Sequence, residues 1–135
     1  MPMYDYTFLL QSDTANTTDA VTTNEVDFGI TTPAPNVGFK GGLHVIVTTT
    51  FGALTEGVIW WTLHDGTGTL NTSSPKHTGM FVAVADMVKG AHHFIPWGSI
   101  PILRYACGMF DAVSTAANAG KTTIFFGAAD ASVTL

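Results

Sequence analysis

The sequence predicts an all-β chain, an antiparallel β-sandwich of about eight strands with little or no helix. Three observations carry that prediction. Apolar residues recur with a period of two along most of the chain, not 3.6. Thr is the most frequent residue, with 21 copies among 135, and it stands beside Val and Ile in the alternating runs, as the stiff β-branched side chains of strands do. The runs are separated by turn-rich stretches at intervals of roughly 8 to 20 residues, the spacing of a sandwich or barrel.

Residues 4–10 form the opening candidate, with Tyr4, Tyr6 and Phe8 on one face. Residues 11–22 carry Thr14, Thr17, Thr18 and Thr22 and no large apolar side chain, so they read as an extended arm or a poorly ordered link. Residues 23–28 alternate Glu25 and Asp27 against Val26 and Phe28. Residues 31–42 (TTPAPNVGFKGG) hold two prolines and three glycines and cannot be a central strand. Residues 43–50 (LHVIVTTT) point Leu43, Val45 and Val47 one way and His44, Ile46 and Thr48 the other.

Residues 58–65 (VIWWTLHD) close on the turn signal Asp65-Gly66. Trp60 and Trp61 are consecutive, so one enters the core and the other faces out. The polar loop 66–75 follows, then two brief strands at 80–84 and 92–96. Residues 102–111 (ILRYACGMFD) offer Leu103, Tyr105, Cys107 and Met109 as an apolar face, with Arg104 alternating out beside Ala106 and Gly108. Residues 122–128 put Ile124 and Phe126 on one side. Helical turns are expected only at 83–90 and 113–118. No repeat or linker divides the chain, so residues 1–135 form one domain, with 1–22 as opening strand and arm.

Charge excludes further classes. Only 11% of residues are charged, the net charge is −5 and the pI is about 5.2, where a soluble domain carries about 25% charged residues. The five basic residues are scattered, which argues against nucleic acid as a partner. The longest apolar candidate, 79–88, is short and contains Asp86, so no membrane span is expected. MPMYDYTFLL lacks the basic n-region and long apolar stretch of a secretory signal. One cysteine, Cys107, excludes an internal disulfide framework. Synthesis and folding in a reducing cytoplasm fit these features.

Possible chemistry is weak. Gly120-Lys121-Thr122 lacks the earlier glycine of a phosphate loop, since position 115 is Thr, and it leads into a strand. Gly66-Thr67-Gly68 is followed by Asn71 and Pro75, which spoil a dinucleotide turn. Of the five histidines, His92 and His93 point to opposite faces of a strand, while His44 and His64 lie on different strands and could meet in space. No carboxylate stands in a ligand pattern with them. Cys107, beside Tyr105 and Met109, reads as a small buried hydrophobe. Trp97 lies in FIPWGSIP, a stretch with two prolines that reads as loop or edge. Outward tryptophans suit a protein interface first and a stacked sugar second. No catalytic residue, cofactor or metal is expected.

Several stretches, taken in order, resemble one family. They are QSDTANTTDAVTTNEVDFG (11–29), GGLHVIVTTTF (41–51), GMFVAVADMVKGAHHFIP (79–96), ILRYACGMF (102–110) and AGKTTIFFGA (119–128). The pattern resembles the small jelly-roll capsid cement, or decoration, proteins of tailed bacteriophages. Typical members open with Ser-Asp and an Ala/Thr-rich stretch leading to an N-x-x-D-hydrophobic-G strand, here Asn24, Asp27, Phe28 and Gly29. They carry a hydrophobic-Leu-Arg strand late in the chain, here Leu103 and Arg104. The aromatic-rich middle, Trp60-Trp61 and His92-His93, departs from the pattern.

The resemblance implies a jelly roll without catalytic residues, bound to the outside of an icosahedral shell and clamping neighbouring major capsid protein subunits. It implies a virion location after assembly in the host bacterial cytoplasm, and self-association as a homodimer, with a trimer as the other form. Tyr4, Tyr6, Phe8 and Trp97 are the residues expected at the protein interface, with core packing the competing role for the first three. Two other functions compete: a carbohydrate-binding sandwich using Trp61 and Trp97, and a cupin-like metalloenzyme using the histidines.

Overall fold

A computed structural model describes residues 8–30, 41–98 and 103–128. Among these residues the regular structure is nine strands: β1 (Leu9–Ala15), β2 (Ala20–Val21), β3 (Val26–Asp27), β4 (Gly41–Gly52), β5 (Gly57–Asp65), β6 (Lys76–Ala83), β7 (His92–Pro96), β8 (Tyr105–Val113) and β9 (Ala119–Ala128), with one 3-10 turn at Val84–Asp86. No helix among them is long and apolar enough to cross a membrane.

The pairing is nested. β5 pairs with β6, β4 with β7, β2 and β3 with β8, and β1 with β9, all antiparallel. The chain is therefore one long hairpin, turning at the loop between β5 and β6 and then rolled up. Two further pairings, β4 with β9 and β5 with β8, close the roll into two sheets. Their orders are β1-β9-β4-β7 and β2-β8-β5-β6, with β3 also on β8. With β2 and β3 counted as one interrupted strand, this is the eight-stranded jelly roll. The interruption follows from the register: Val21 opposes Met109 and Val26 opposes Ala106, so the four residues 22–25 face only two on β8 and the ladder bulges after Thr22, whose amide still donates to the Gly108 carbonyl.

The inner faces interlock as the period-two pattern requires. Leu43, Val45, Val47, Ile95, Ile124 and Phe126 line the first sheet, and Val58, Trp60, Val82 and Phe110 the second. Trp60 meets Phe110 edge-on at 5.3 Å between ring centroids. Full burial of each large aliphatic or aromatic side chain contributes roughly 1.5–3 kcal/mol.

The face of β8 is a correction. Leu103, Tyr105, Cys107 and Met109 were the expected core face, yet Ala106, Gly108 and Phe110 point at the opposite sheet. A Cβ on Gly108 would touch both δ-carbons of Leu43 at 3.2–3.3 Å. Small residues are needed there because the sheets approach closely. Cys107 and Met109 take the other face and are nevertheless buried, at 1% and 4% exposure. Leu70, from the loop after β5, lines one cleft with Val21 and Cys107, and Glu25 fixes that loop by accepting the Thr69 and Leu70 amides.

Residues 11–22 are also corrected. They contain most of β1 and all of β2, paired into the sheets, instead of an extended arm or a poorly ordered link. Their polar side chains are used inward: Gln11 Nε2 donates to Thr122 Oγ1 at 2.8 Å and to Asn16 Oδ1 at 3.1 Å, and Thr122 Oγ1 donates to Asn16 Oδ1. Among the described residues the opening strand begins at Leu9, and residues 4–7 of the expected run 4–10 lie outside them. The turn expected at 83–90 is the 3-10 turn, whereas 113–118 forms no helix.

Candidate binding surface

The candidate nucleophile is inert. Cys107 is buried beside Thr22, and burial pushes its thiol up to about 12, far from the depressed range of a reactive cysteine.

The histidines are structural ties. His44 and His64 do not meet: they lie in different sheets. His44 Nε2 lies 2.7 Å from the Ala128 carbonyl, so that nitrogen carries the proton. Its Nδ1 then accepts from His92 Nε2 at 2.8 Å, which joins β4 to the edge strand β7. The His44 ring stacks on Phe125 at 4.7 Å. Burial lowers the pKa of both members of this pair. His64 is buried on the inner face of β5, and its Nε2 accepts the Leu103 amide. Its proton therefore sits on Nδ1, and its pKa is pushed down to about 4, mainly by burial. His77 donates to the His64 carbonyl at 3.1 Å and His93 to the Asp86 carbonyl at 2.9 Å. Among the described residues no three His, Cys, Asp or Glu side chains form a metal-holding group.

The two short motifs behind the family resemblance meet in space. Arg104 Nε and Nη2 donate to Asp27 Oδ1 and Oδ2 at 2.9 and 3.2 Å. Asp27 Oδ1 also accepts the Gly29 amide at 2.8 Å, and the Phe28 amide donates to the Arg104 carbonyl at 2.7 Å. Gly29 has φ +73°, a conformation that glycine adopts without strain.

A second surface lies on the outer face of β5, β6 and β8. Trp60 fills the core and Trp61 faces out, as the alternation required. Trp61 Nε1 donates to Asp111 Oδ2 on β8 at 3.0 Å. The other end of the indole lies over Gly79 on β6, where a Cβ would be 2.6 Å from Cε3 and Cζ3. The ring is held at both ends and lies along the sheet. Phe81, on β6, is 53% exposed and rests over Gly57 of β5.

Of the four expected interface residues, Tyr4 and Tyr6 lie outside the described residues. Phe8 packs against the core, 6.3 Å from the Phe28 ring. Trp97 is a correction: it is 1% exposed and so unavailable to a partner. It contacts Phe28, His64 and Phe126 with centroids 6.0, 4.8 and 5.3 Å away. The loop-or-edge reading of its segment agrees with the structure, since Pro96 is the last residue of edge strand β7, a position that tolerates proline, but the Trp97 side chain turns inward there. Phe81 had no distinguishing signal within a brief strand.

No known family model matches this chain. No curated protein matches it either.

Proposed function

We propose that this chain is a structural virion protein. It binds the outer surface of an icosahedral phage capsid and stabilises contacts between major capsid protein subunits. The observation that carries the reading is the contact of Arg104 with Asp27. The N-x-x-D-hydrophobic-G and Leu-Arg motifs, far apart in sequence, act as one clasp that ties β3 to the start of β8.

The work asked of such a protein is mechanical. A surface rich in Thr and Ser gives hydrogen bonds with less desolvation cost than ions. Repetition over a symmetric lattice supplies avidity, so each contact can be modest. Tyr4 and Tyr6 stay the side chains expected at the protein interface, in a homodimer assembled in the host cytoplasm. Trp97 is withdrawn from that set because it is buried.

The test adds purified protein to shells that lack it. The reading expects co-sedimentation with the shells and a higher shell disruption temperature. Shells that neither bind the protein nor gain stability would refute it.

A further inference from the structure

We propose that the outer face of β5, β6 and β8 is a binding site for a neutral carbohydrate, with Trp61 and Phe81 as the stacking platform and Asp111 as a hydroxyl acceptor. The inference is independent of capsid attachment.

The geometry of the rings comes first. Opposed residues of antiparallel strands share a face, and Trp61 opposes Gly79 while Ile59 opposes Phe81 and Asp111. The Trp61 indole is bonded at Nε1 to Asp111 on one neighbouring strand and rests on Gly79 of the other. One face of the ring lies on the sheet, so the opposite face is the one left to meet a ligand. Phe81 lies over Gly57 in the same manner and is 53% exposed. Glycine inside a strand marks close approach of another group. Here two glycines provide the two beds on which the rings lie.

The chemistry of the face then selects the ligand. The aliphatic C–H face of a pyranose is apolar with a slight positive character, and it complements the negative face of an aromatic ring. Sugar hydroxyls need acceptors at the rim. Asp111 uses Oδ2 for Trp61 and has Oδ1 to offer. At the Gly57 end, Glu56 Oε2 accepts from Ser114 Oγ at 3.2 Å, which provides a second carboxylate. The outward positions nearest the rings, Ile59, Ala83, Met109 and Val113, are uncharged, and Lys76, opposite Leu63 at the next outward position, turns its Nζ to the Thr72 carbonyl at 2.9 Å. A phosphorylated, sulfated or sialylated ligand over the rings would meet the carboxylates of Asp111 and Glu56, with Lys76 already bonded to the Thr72 carbonyl. A neutral polyol meets only acceptors and π-faces.

The experiment is a titration of the full chain with neutral disaccharides (cellobiose, maltose, lactose, chitobiose and mannobiose) and with sialyllactose, read by saturation-transfer NMR and tryptophan fluorescence. At least one neutral sugar is expected to bind and to shift Trp61 emission, with sialyllactose silent. Phe81→Ala and Trp61→Ala are each expected to weaken binding by about tenfold, the scale of one lost aromatic contact. Phe81 is half exposed, so Phe81→Ala keeps its melting temperature and separates lost binding from lost folding. Silence of every neutral sugar at millimolar concentration overturns the proposal, as do binding unaffected by both ring variants and preference for sialyllactose. If the sugars fail and Phe81→Ala abolishes attachment to shells, the face is a protein interface and the carbohydrate assignment falls.

Discussion

Arg104 holds Asp27 through both carboxylate oxygens, across 77 residues of sequence. Its guanidinium carbon also lies 5.1 Å from the centre of the Tyr105 ring. The Arg104 hydrogen bond, followed by the Gly29 amide, lowers the Asp27 pKa. Both side chains are well exposed, at 40% and 44%, so solvent and salt screen the pair. The two truncations should therefore differ. Arg104→Ala removes the ion pair and the contact with the Tyr105 ring and should lower the melting temperature slightly, with the ion-pair part of the deficit shrinking in molar salt. Asp27→Ala also frees the Gly29 amide and should cost more at every salt concentration, with faster hydrogen exchange at Gly29. Equal, salt-independent deficits would contradict this division.

His64 should make stability depend on pH. Its Nε2 already accepts the Leu103 amide, so a second ring proton would set two donors against each other in a buried site. The folded pKa of about 4 lies below the ordinary histidine value of 6.5. Between these values the unfolded chain binds the extra proton and the folded chain does not. Stability is thus full above pH 6.5 and is lost as pH falls towards 4. The gap corresponds to of order 3 kcal/mol. The His44–His92 pair, in which His44 is buried and both pKa values are lowered, adds in the same direction. Urea unfolding at a series of pH values should show this slope, and His64→Gln should flatten it.

How much of this was legible in the sequence depended on whether a local rule decided the matter. Alternation put Val45 on one face with Leu43 and Val47 and set Trp60 and Trp61 on opposite faces, because side-chain direction in a strand is a local property. Residues 92–96 were legible for the same reason. The partner of a strand is not local. Nothing near Gln11 reveals that Thr122 will receive its amide, so a polar stretch that pairs looked like an arm. On β8, both faces are buried, and apolarity cannot tell which one meets the opposite sheet. The small side chains of Ala106 and Gly108, which looked like the outward set, are there to admit Leu43. The candidate surface was half legible: Trp61 was visible, whereas Phe81, Asp111 and the glycine beds required the register.

Gln11, Asn16 and Thr122 are 3%, 7% and 0% exposed, and their hydrogen bonds tie β1 and the turn after it to β9. Asn16 Oδ1 is the shared acceptor. Asn16→Ala leaves two buried donors short of a partner and should cost about 1–3 kcal/mol. Thr122→Val leaves the Gln11–Asn16 bond in place and should cost less. Chemical denaturation of the three proteins tests the order, and a harmless Asn16→Ala would show that water replaces the acceptor freely.

Cys107 offers a probe of local opening. A thiol with a pKa of about 12 and 1% exposure has almost no thiolate at neutral pH and no path to reagent, so native protein should resist Ellman's reagent. Labelling then reports whichever opening is easiest. Global unfolding is one route, at about 5–15 kcal/mol for a domain of ordinary stability. A cheaper route lifts the loop after β5, since Leu70 and Val21 line the cleft at Cys107 and the loop is fixed by two amides on Glu25 Oε1. Glu25→Ala should therefore speed labelling severalfold while leaving the urea midpoint nearly unchanged. Labelling that follows the global transition in both proteins would mean that the loop does not open on its own.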